Sequence, residues 1–225
     1  GAYKDFFAGK RVTLMGLGLL GRGVGDAEFL APLCKELVVT DRKNEPELAP
    51  SLRRLKKFSN IRYTLGGHQE ADFTGADMVI KAAGVPLDSP YIAAAHAASV
   101  PVYMTTALFA KFVAEAGATI VGVTGTRGKS TVTHLIYHAL KQAALRDASG
   151  REKQVFLGGN VRGVSTLAML PDIKSGDTLV LELDSWQLQG WGETKISPHI
   201  AVFTTFFADH LNYYHNDLDM YLADK

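Results

Sequence analysis

The 225-residue chain carries 24 Lys+Arg against 23 Asp+Glu, a formal net charge of +1, with 47% hydrophobic and 21% charged residues. That length suits one domain and part of a second, and the mixture excludes wholesale disorder and fibrous repeats. No basic field exists for non-specific nucleic-acid binding, Cys34 as sole cysteine excludes an internal disulfide or a cysteine-rich zinc site, and no apolar run reaches the ~18 residues that cross a bilayer.

The first residues lack a signal-peptide core, which predicts a soluble cytoplasmic protein with no nucleic-acid or membrane partner. In chain order, residues 11–15 read as a strand, 23–35 as a helix and 36–40 as a second strand. Residues 78–81 end another strand, 91–98 read as a helix and 100–104 as a short strand. A new unit then opens with a strand at 119–123 and a helix at 129–145, whose Val132, Leu135, Ile136, Ala139 and Leu140 share one apolar face. The polar stretch 146–154 reads as a flexible surface loop, and 178–183 and 199–205 as further strands. Such alternation of apolar β-rich runs with helical stretches predicts α/β architecture on parallel strands. A helical stretch ending at Gly117 sets a boundary near 110–117, giving domains 1–113 and 114–225.

Two glycine-rich loops carry the chemistry. The first, Gly16-Leu17-Gly18-Leu19-Leu20-Gly21, follows a strand and opens a helix, with Asp41 ending the next strand. Its glycines let the backbone turn tightly and approach a pyrophosphate at the helix N-terminus, and the acidic residue can bond a ribose or base. Gly18, Leu19, Leu20, Gly21 and Asp41 are therefore candidate contacts for a nucleotide diphosphate, with a dinucleotide and a UDP-sugar equally open. The second loop, Gly125-Thr126-Arg127-Gly128-Lys129-Ser130-Thr131, resembles a Walker A loop, although Val123 stands where the strict pattern needs glycine. Its backbone amides can wrap phosphate oxygens, Lys129 can neutralise the outer phosphates, and Ser130 can ligate Mg²⁺. ATP and Mg²⁺ are thus the expected cofactors. A nicotinamide-dependent dehydrogenase has no use for this second loop; two anion loops point to a reaction joining a nucleotide-linked substrate to ATP chemistry.

Further landmarks follow in order: Asp41-Arg42, Ala83-Gly84-Val85-Pro86, Gly158-Gly159-Asn160-Val161, Leu181-Glu182-Leu183-Asp184-Ser185-Trp186-Gln187-Leu188, Asp209-His210-Leu211-Asn212, and Tyr221-Leu222-Ala223-Asp224-Lys225. With the two loops, this series resembles the Mur ligases of peptidoglycan synthesis over nearly the whole chain. The resemblance implies an N-terminal Rossmann-like domain for the UDP-linked substrate, then a P-loop NTPase-like central ATP-binding domain that is incomplete here. It implies an ATP-dependent carbon–nitrogen ligase, nearest to the branch that adds D-glutamate to UDP-N-acetylmuramoyl-L-alanine through an acyl phosphate. By that resemblance Lys129, Glu182, His210 and Lys225 are catalytic, and Ser130, Glu182 and His210 hold Mg²⁺. Lys225 stands where the family carries a carbamylated lysine, an anion able to orient the metal. Arg42, Gly84, Asn160, Ser185 and Gln187 join the first loop in binding substrate. A monomer is expected, and a chain ending at Lys225 is expected not to ligate by itself.

Blander roles compete at several positions. Glu182 ends an apolar strand, where an unpaired carboxylate is costly, so ligation of a metal is favoured. Gln187 at a helix start can be purely structural, Trp186 reads as core or wall, and His134 and His138 lack a nearby acidic partner. Cys34 reads as a small apolar filler. Some positions leave the family pattern: Arg127 replaces Asn, Ala82-Ala83 replace Ser-Pro, Leu20 replaces a hydroxyl residue, Asp184 replaces Ser, Asn212 replaces Asp, and Phe206-Phe207-Ala208 are less polar than usual. These changes keep alive a degenerate nucleotide-binding module, beside another Mur-type ligase. The folylpolyglutamate synthetases fit less well, because they lack the domain that carries the first loop.

Overall fold

Strands buried on both faces read as unbroken apolar runs, because helices cover a parallel sheet above and below. Val12, Leu14, Leu37, Val38, Val39, Val79 and Ile80 form such runs and are at most 1% exposed. In the computed structural model, which describes every residue except Leu20, Leu87, Arg162, His210 and Leu211, they fill the centre of a five-stranded sheet. The chain divides into two compact units: Gly1–Leu108 with residues 163–168, and Phe109–Val161 with Met169–Lys225.

The first unit runs α1 (Ala2–Phe7), β1 (Arg11–Met15), α2 (Arg22–Leu30), β2 (Glu36–Asp41), α3 (Glu45–Leu55), β3 (Ile61–Leu65), α4 (Glu70–Thr74), β4 (Met78–Lys81), α5 (Pro90–Ala97) and β5 (Val102–Met104). Strand order is β3-β2-β1-β4-β5, with every pairing parallel. The order reverses beside β1, which opens a crevice outside the carboxyl ends of β1 and β4. Met15 lies level with Thr40 on one side and Lys81 on the other, so the turns after β1, β2 and β4 all leave at that edge. One face of the sheet packs Met15, Phe73, Val79, Val85, Ile92, Ala95 and Val100 into a common core. Helix α2 stops at Leu30, short of the expected residue 35, because Pro32 has no N–H to continue the ladder. Strand β5 starts after Pro101 for the same reason. Helix α3 was not anticipated; Asn44 and Glu47 close a reciprocal capping box at its start.

Helix α6 (Thr105–Ala116) carries the chain across the boundary and ends at Gly117, whose φ of +74° suits glycine after a helix. The second unit contains β6 (Thr119–Thr124), α7 (Lys129–Gln142), β7 (Val155–Gly159), β8 (Thr178–Glu182), α8 (Ser185–Glu193), β9 (Ile200–Phe203) and α9 (Leu218–Ala223). Its four strands are parallel in the order β7-β8-β6-β9. The expected apolar face of α7 is corrected in part. Leu135 is 65% exposed, and Thr133 is the buried residue of the helix. Residues 146–154 also differ from the expected flexible loop. Asp147 accepts from the Ser149 N–H and hydroxyl and from the Arg151 N–H and Nε, at 2.6–3.1 Å. Arg151 Nη1 then reaches the buried Asp177 carboxylate at 2.8 Å, so charge-assisted bonds make this a built turn. Strand β9 ends at Phe203, two residues earlier than expected, because Thr204 and Thr205 turn their hydroxyls onto the Arg127 carbonyl. Among the described residues, no helix is long and apolar enough to cross a membrane.

Candidate functional site

The first glycine loop leaves β1 at the crevice. Gly16, Gly18 and Gly21 have φ of +100°, +62° and +86°, values that a side chain would strain. Gly23 is needed for a different reason: a methyl group there would lie 2.2 Å from the Leu17 carbonyl oxygen, so the start of α2 sits directly on the loop. Asp41, 6% exposed, accepts the Gly18 N–H on Oδ2 at 2.8 Å and the Lys43 N–H on Oδ1 at 2.9 Å. Its carboxylate therefore clamps the loop from below. Leu19, Arg42 and Gly84 are exposed. Leu20 lies outside the described residues. A residue that sequence reasoning passed over, His68, has Nδ1 2.7 Å from Thr40 Oγ1 and its ring against Tyr91 and Phe73. Burial holds this imidazole below its usual pKa, which favours the neutral ring. A lone histidine in a turn offers no sequence signal for that placement.

The second loop opens a cavity of about 310 Å³ in the second unit, lined by residues 126–131, Asn160, Glu182, Asp184, Ser185 and Trp186. The chain after β9 braces this loop from behind. Thr126 N–H donates to the Thr205 carbonyl at 2.7 Å, and Thr126 Oγ1 accepts the Phe207 N–H at 3.0 Å. Gly125, at φ +135°, fits because a methyl group there would lie 2.1 Å from Thr204 Oγ1. Lys129 Nζ donates to the Gly125 and Thr126 carbonyls at 3.0 and 3.1 Å. Lys225 Nζ donates to the same Gly125 carbonyl at 3.1 Å and lies 4.7 Å from the Tyr221 ring centre. Burial, and then the neighbouring Lys129 charge, push the Lys225 amine down to about 8.

Glu182 ends β8 level with Val123 and Gly159, and is 5% exposed. The Asn160 N–H donates to the Glu182 carbonyl at 2.7 Å, which sets Asn160 beside it at the cavity wall. Ser130, Glu182 and the rest of the second loop thus line one space, and a hydroxyl with a carboxylate suits a hard divalent cation. His210, the third expected metal ligand, lies outside the described residues; among those described, no three His, Cys, Asp or Glu cluster as a metal site. Gln187 is not on the cavity wall. It is 1% exposed and closes a capping box with Asp184: Asp184 Oδ1 accepts the Gln187 N–H at 2.8 Å, and Gln187 Oε1 accepts the Asp184 N–H at 3.2 Å. Trp186 forms wall, tilted against Tyr213.

Two family models match this chain: the Mur ligase MurD-like N-terminal domain over residues 10–104, and the Mur ligase middle domain over 123–225. The chain belongs to the Mur ligase family. Among its curated relatives, the UDP-N-acetylmuramoylalanine–D-glutamate ligase of Borreliella burgdorferi (strain ZS7) is 41% identical over 213 residues, covering 94% of this chain and 43% of the relative. The ligase of the same name from Roseiflexus sp. (strain RS-1) is 37% identical over 218 residues, covering 97% and 44%. The chain therefore spans less than half the length of these relatives. The fold is shared with the crystal structure of UDP-N-acetylmuramate-alanine ligase MurC from Thermotoga maritima, at a TM-score of 0.56 and 21% identity, over 96% of this chain and 46% of that one. Arg127 and Asp184 of this Mur ligase chain line the same cavity and bring opposite charges to it.

Proposed function

We propose that this Mur ligase chain binds the UDP end of UDP-N-acetylmuramoyl-L-alanine through residues 1–113 and Mg²⁺-ATP through residues 114–225, and that the protein containing it joins D-glutamate to that substrate. The observation that carries this reading is the cavity lined by residues 126–131 and the buried Glu182, with Lys129 and Lys225 both donating to the Gly125 carbonyl of the same loop. The D-glutamate-ligase names of the relatives support the choice of substrate and amino acid.

In the proposed reaction, the substrate carboxylate attacks the γ-phosphorus of ATP, giving an acyl phosphate and ADP. The D-glutamate amine then displaces phosphate and forms the amide. Nearly every reacting group is anionic, so positioning and charge neutralisation supply most of the acceleration. Lys129 exchanges its two carbonyl acceptors for the outer phosphate oxygens, a stronger charge-assisted arrangement. Backbone amides at Gly128, Lys129, Ser130 and Thr131 open the 14-residue α7, whose positive end favours phosphate. Ser130 and Glu182, with His210, would hold Mg²⁺, which would supply positive charge against the phosphate oxygens as the carboxylate approaches. Asn160 and Ser185 hold the muramoyl-alanine end. Gly18, Leu19, Leu20 and Gly21 take the diphosphate on a loop shaped by Asp41, while Arg42 and Gly84 border the uridine. Lys225, with its amine pushed down to about 8, is suited to carbamylation, which turns it from a cation into an anion. The proposed setting is the cytoplasm and the proposed state a monomer.

Isothermal titration tests the reading. UDP-N-acetylmuramoyl-L-alanine and Mg²⁺-ATP are expected to bind the chain saturably at separate sites. ATP binding without any UDP-sugar binding would favour the degenerate module instead.

A further inference from the structure

The segment 163–168 lies, in sequence, between stretches of the second unit, yet it is folded into the first. There it lies along α2, the helix that follows the first glycine loop. Two glycines of α2 and its cap admit the close approach. A methyl group at Gly21, the residue capping α2, would lie 3.2 Å from Gly163 Cα, and one at Gly25 would lie 2.7 Å from Ser165 Cβ. One turn of helix separates Gly21 from Gly25, so both present the same groove to the segment. The polar tie lies beside that groove. Ser165 Oγ donates to Asp26 Oδ1 at 2.6 Å and accepts the Ala168 N–H at 3.2 Å. Asp26 and Ser165 are 6% and 8% exposed, and Thr166 and Leu167 are buried beside them. An aspartate on a helix face with no loop partner would be expected in water; here its burial depends on the serine.

We infer that residues 163–168 form a strap, clasped by Ser165 on Asp26, that holds α2 and the glycine loop before it in the arrangement that binds the diphosphate. Asp26 and Ser165 are then positioning residues, acting through the Gly21 end of α2 without touching ligand. The inference rests on the proposed reading of the first loop as the UDP-sugar site. It predicts that affinity at this loop depends on a serine from a distant stretch of sequence.

The test measures binding of UDP-N-acetylmuramoyl-L-alanine and of Mg²⁺-ATP to the full chain and to Ser165→Ala, Asp26→Ala, Asp26→Asn and Gly25→Ala. Ser165→Ala and Asp26→Ala are expected to weaken UDP-sugar binding about tenfold, the worth of one buried hydrogen bond. Asp26→Asn keeps an acceptor for the serine hydroxyl and should bind like wild type. Gly25→Ala should weaken UDP-sugar binding by wedging the strap away. ATP affinity should stay unchanged in all four, which also shows that the second unit is folded. Hydrogen exchange at residues 163–168 should rise in Ser165→Ala and Asp26→Ala and not in Asp26→Asn. Wild-type affinity in Ser165→Ala, a parallel loss of ATP binding, or Asp26→Asn behaving like Asp26→Ala would each overturn the strap. Failure of wild type itself to bind the UDP-sugar would instead overturn the reading of the first loop.

Discussion

The two glycine loops solve the same problem with opposite charges behind them. The first is held by an acid: Asp41 draws the Gly18 and Lys43 amides onto its carboxylate. The second is held by bases: Lys129 and Lys225 sit on the Gly125 carbonyl. A carboxylate beside a loop lowers its appetite for negative charge, which on the proposed reading suits the first loop to a diphosphate rather than a triphosphate. Lysine ammonium groups on a loop raise that appetite, Lys129 in either state of Lys225, which on the proposed reading suits the second loop to a triphosphate. The difference teaches that similar glycine spacing leaves open which charges stand behind the loop, and on the proposed reading those charges set how much negative charge each loop tolerates.

The largest expected effect breaks the loops apart. Lys129→Ala should weaken ATP binding on the order of a hundredfold, as removal of a charged phosphate donor does, while UDP-sugar affinity holds. Equal losses at both sites, measured by titration, would mean the loops do not act separately. Next in size is the pH dependence of the first unit. Burial raises Asp26 from 3.8 to about 6, against the opposing pull of the Ser165 hydrogen bond and Arg22. Between those values the folded chain holds more protons than the unfolded one, so stability falls as pH rises through that window. The loss is roughly 2–3 kcal/mol, read by denaturant unfolding at pH 4 and pH 7. Asp26→Asn should flatten that dependence. A smaller effect is expected of Asp41→Asn, which keeps one acceptor and turns the other into a donor facing an amide. A loss of about 1–2 kcal/mol in first-unit stability should accompany weaker UDP-sugar binding, with ATP binding intact. An unchanged unfolding midpoint would show that Asp41 does not shape the loop.

Much of this was legible from the chain alone, and the reason is locality. Gly16, Gly18, Gly21, Gly125 and Gly128 announce themselves because a positive φ is a demand made by one residue. Parallel strands such as β1, β2 and β8 announce themselves because both faces are buried. What stayed hidden depends on local geometry that the residue types leave open, as at Gln187, or on partners far away in sequence. Gln187 reads equally well as substrate contact or capping-box residue, since both need an amide at that position, and only the geometry around Asp184 separates them. The Asp147 turn reads as solvated charge until Asp177 supplies the buried end for Arg151. Asp26 and Ser165, 139 positions apart, carry no shared pattern at all. The early stop of α2 is also local, since Pro32 has no N–H to donate.

The smallest expected effect asks which force acts on Lys225. Burial is the larger cause of its lowered pKa and the Lys129 charge the second, while Asp184, Asp209 and Asp224 pull the other way. The amine stays charged in the unfolded chain up to its ordinary 10.5 but loses its proton near 8 when folded. Between those values the unfolded state binds more protons, so this group's contribution to stability rises with pH across that window. Because burial is the larger cause, removing Lys129 should raise the Lys225 pKa but leave it below the usual lysine value. The pH dependence of Lys225 labelling by an amine-reactive reagent, followed by peptide mass spectrometry in wild type and Lys129→Ala, reads this directly. A return to ordinary lysine behaviour in the variant would make repulsion between the two cations the dominant force. The second loop would then be tuned by charge alone, and its contrast with the first, where a carboxylate works through hydrogen bonds to amides, would be sharper still.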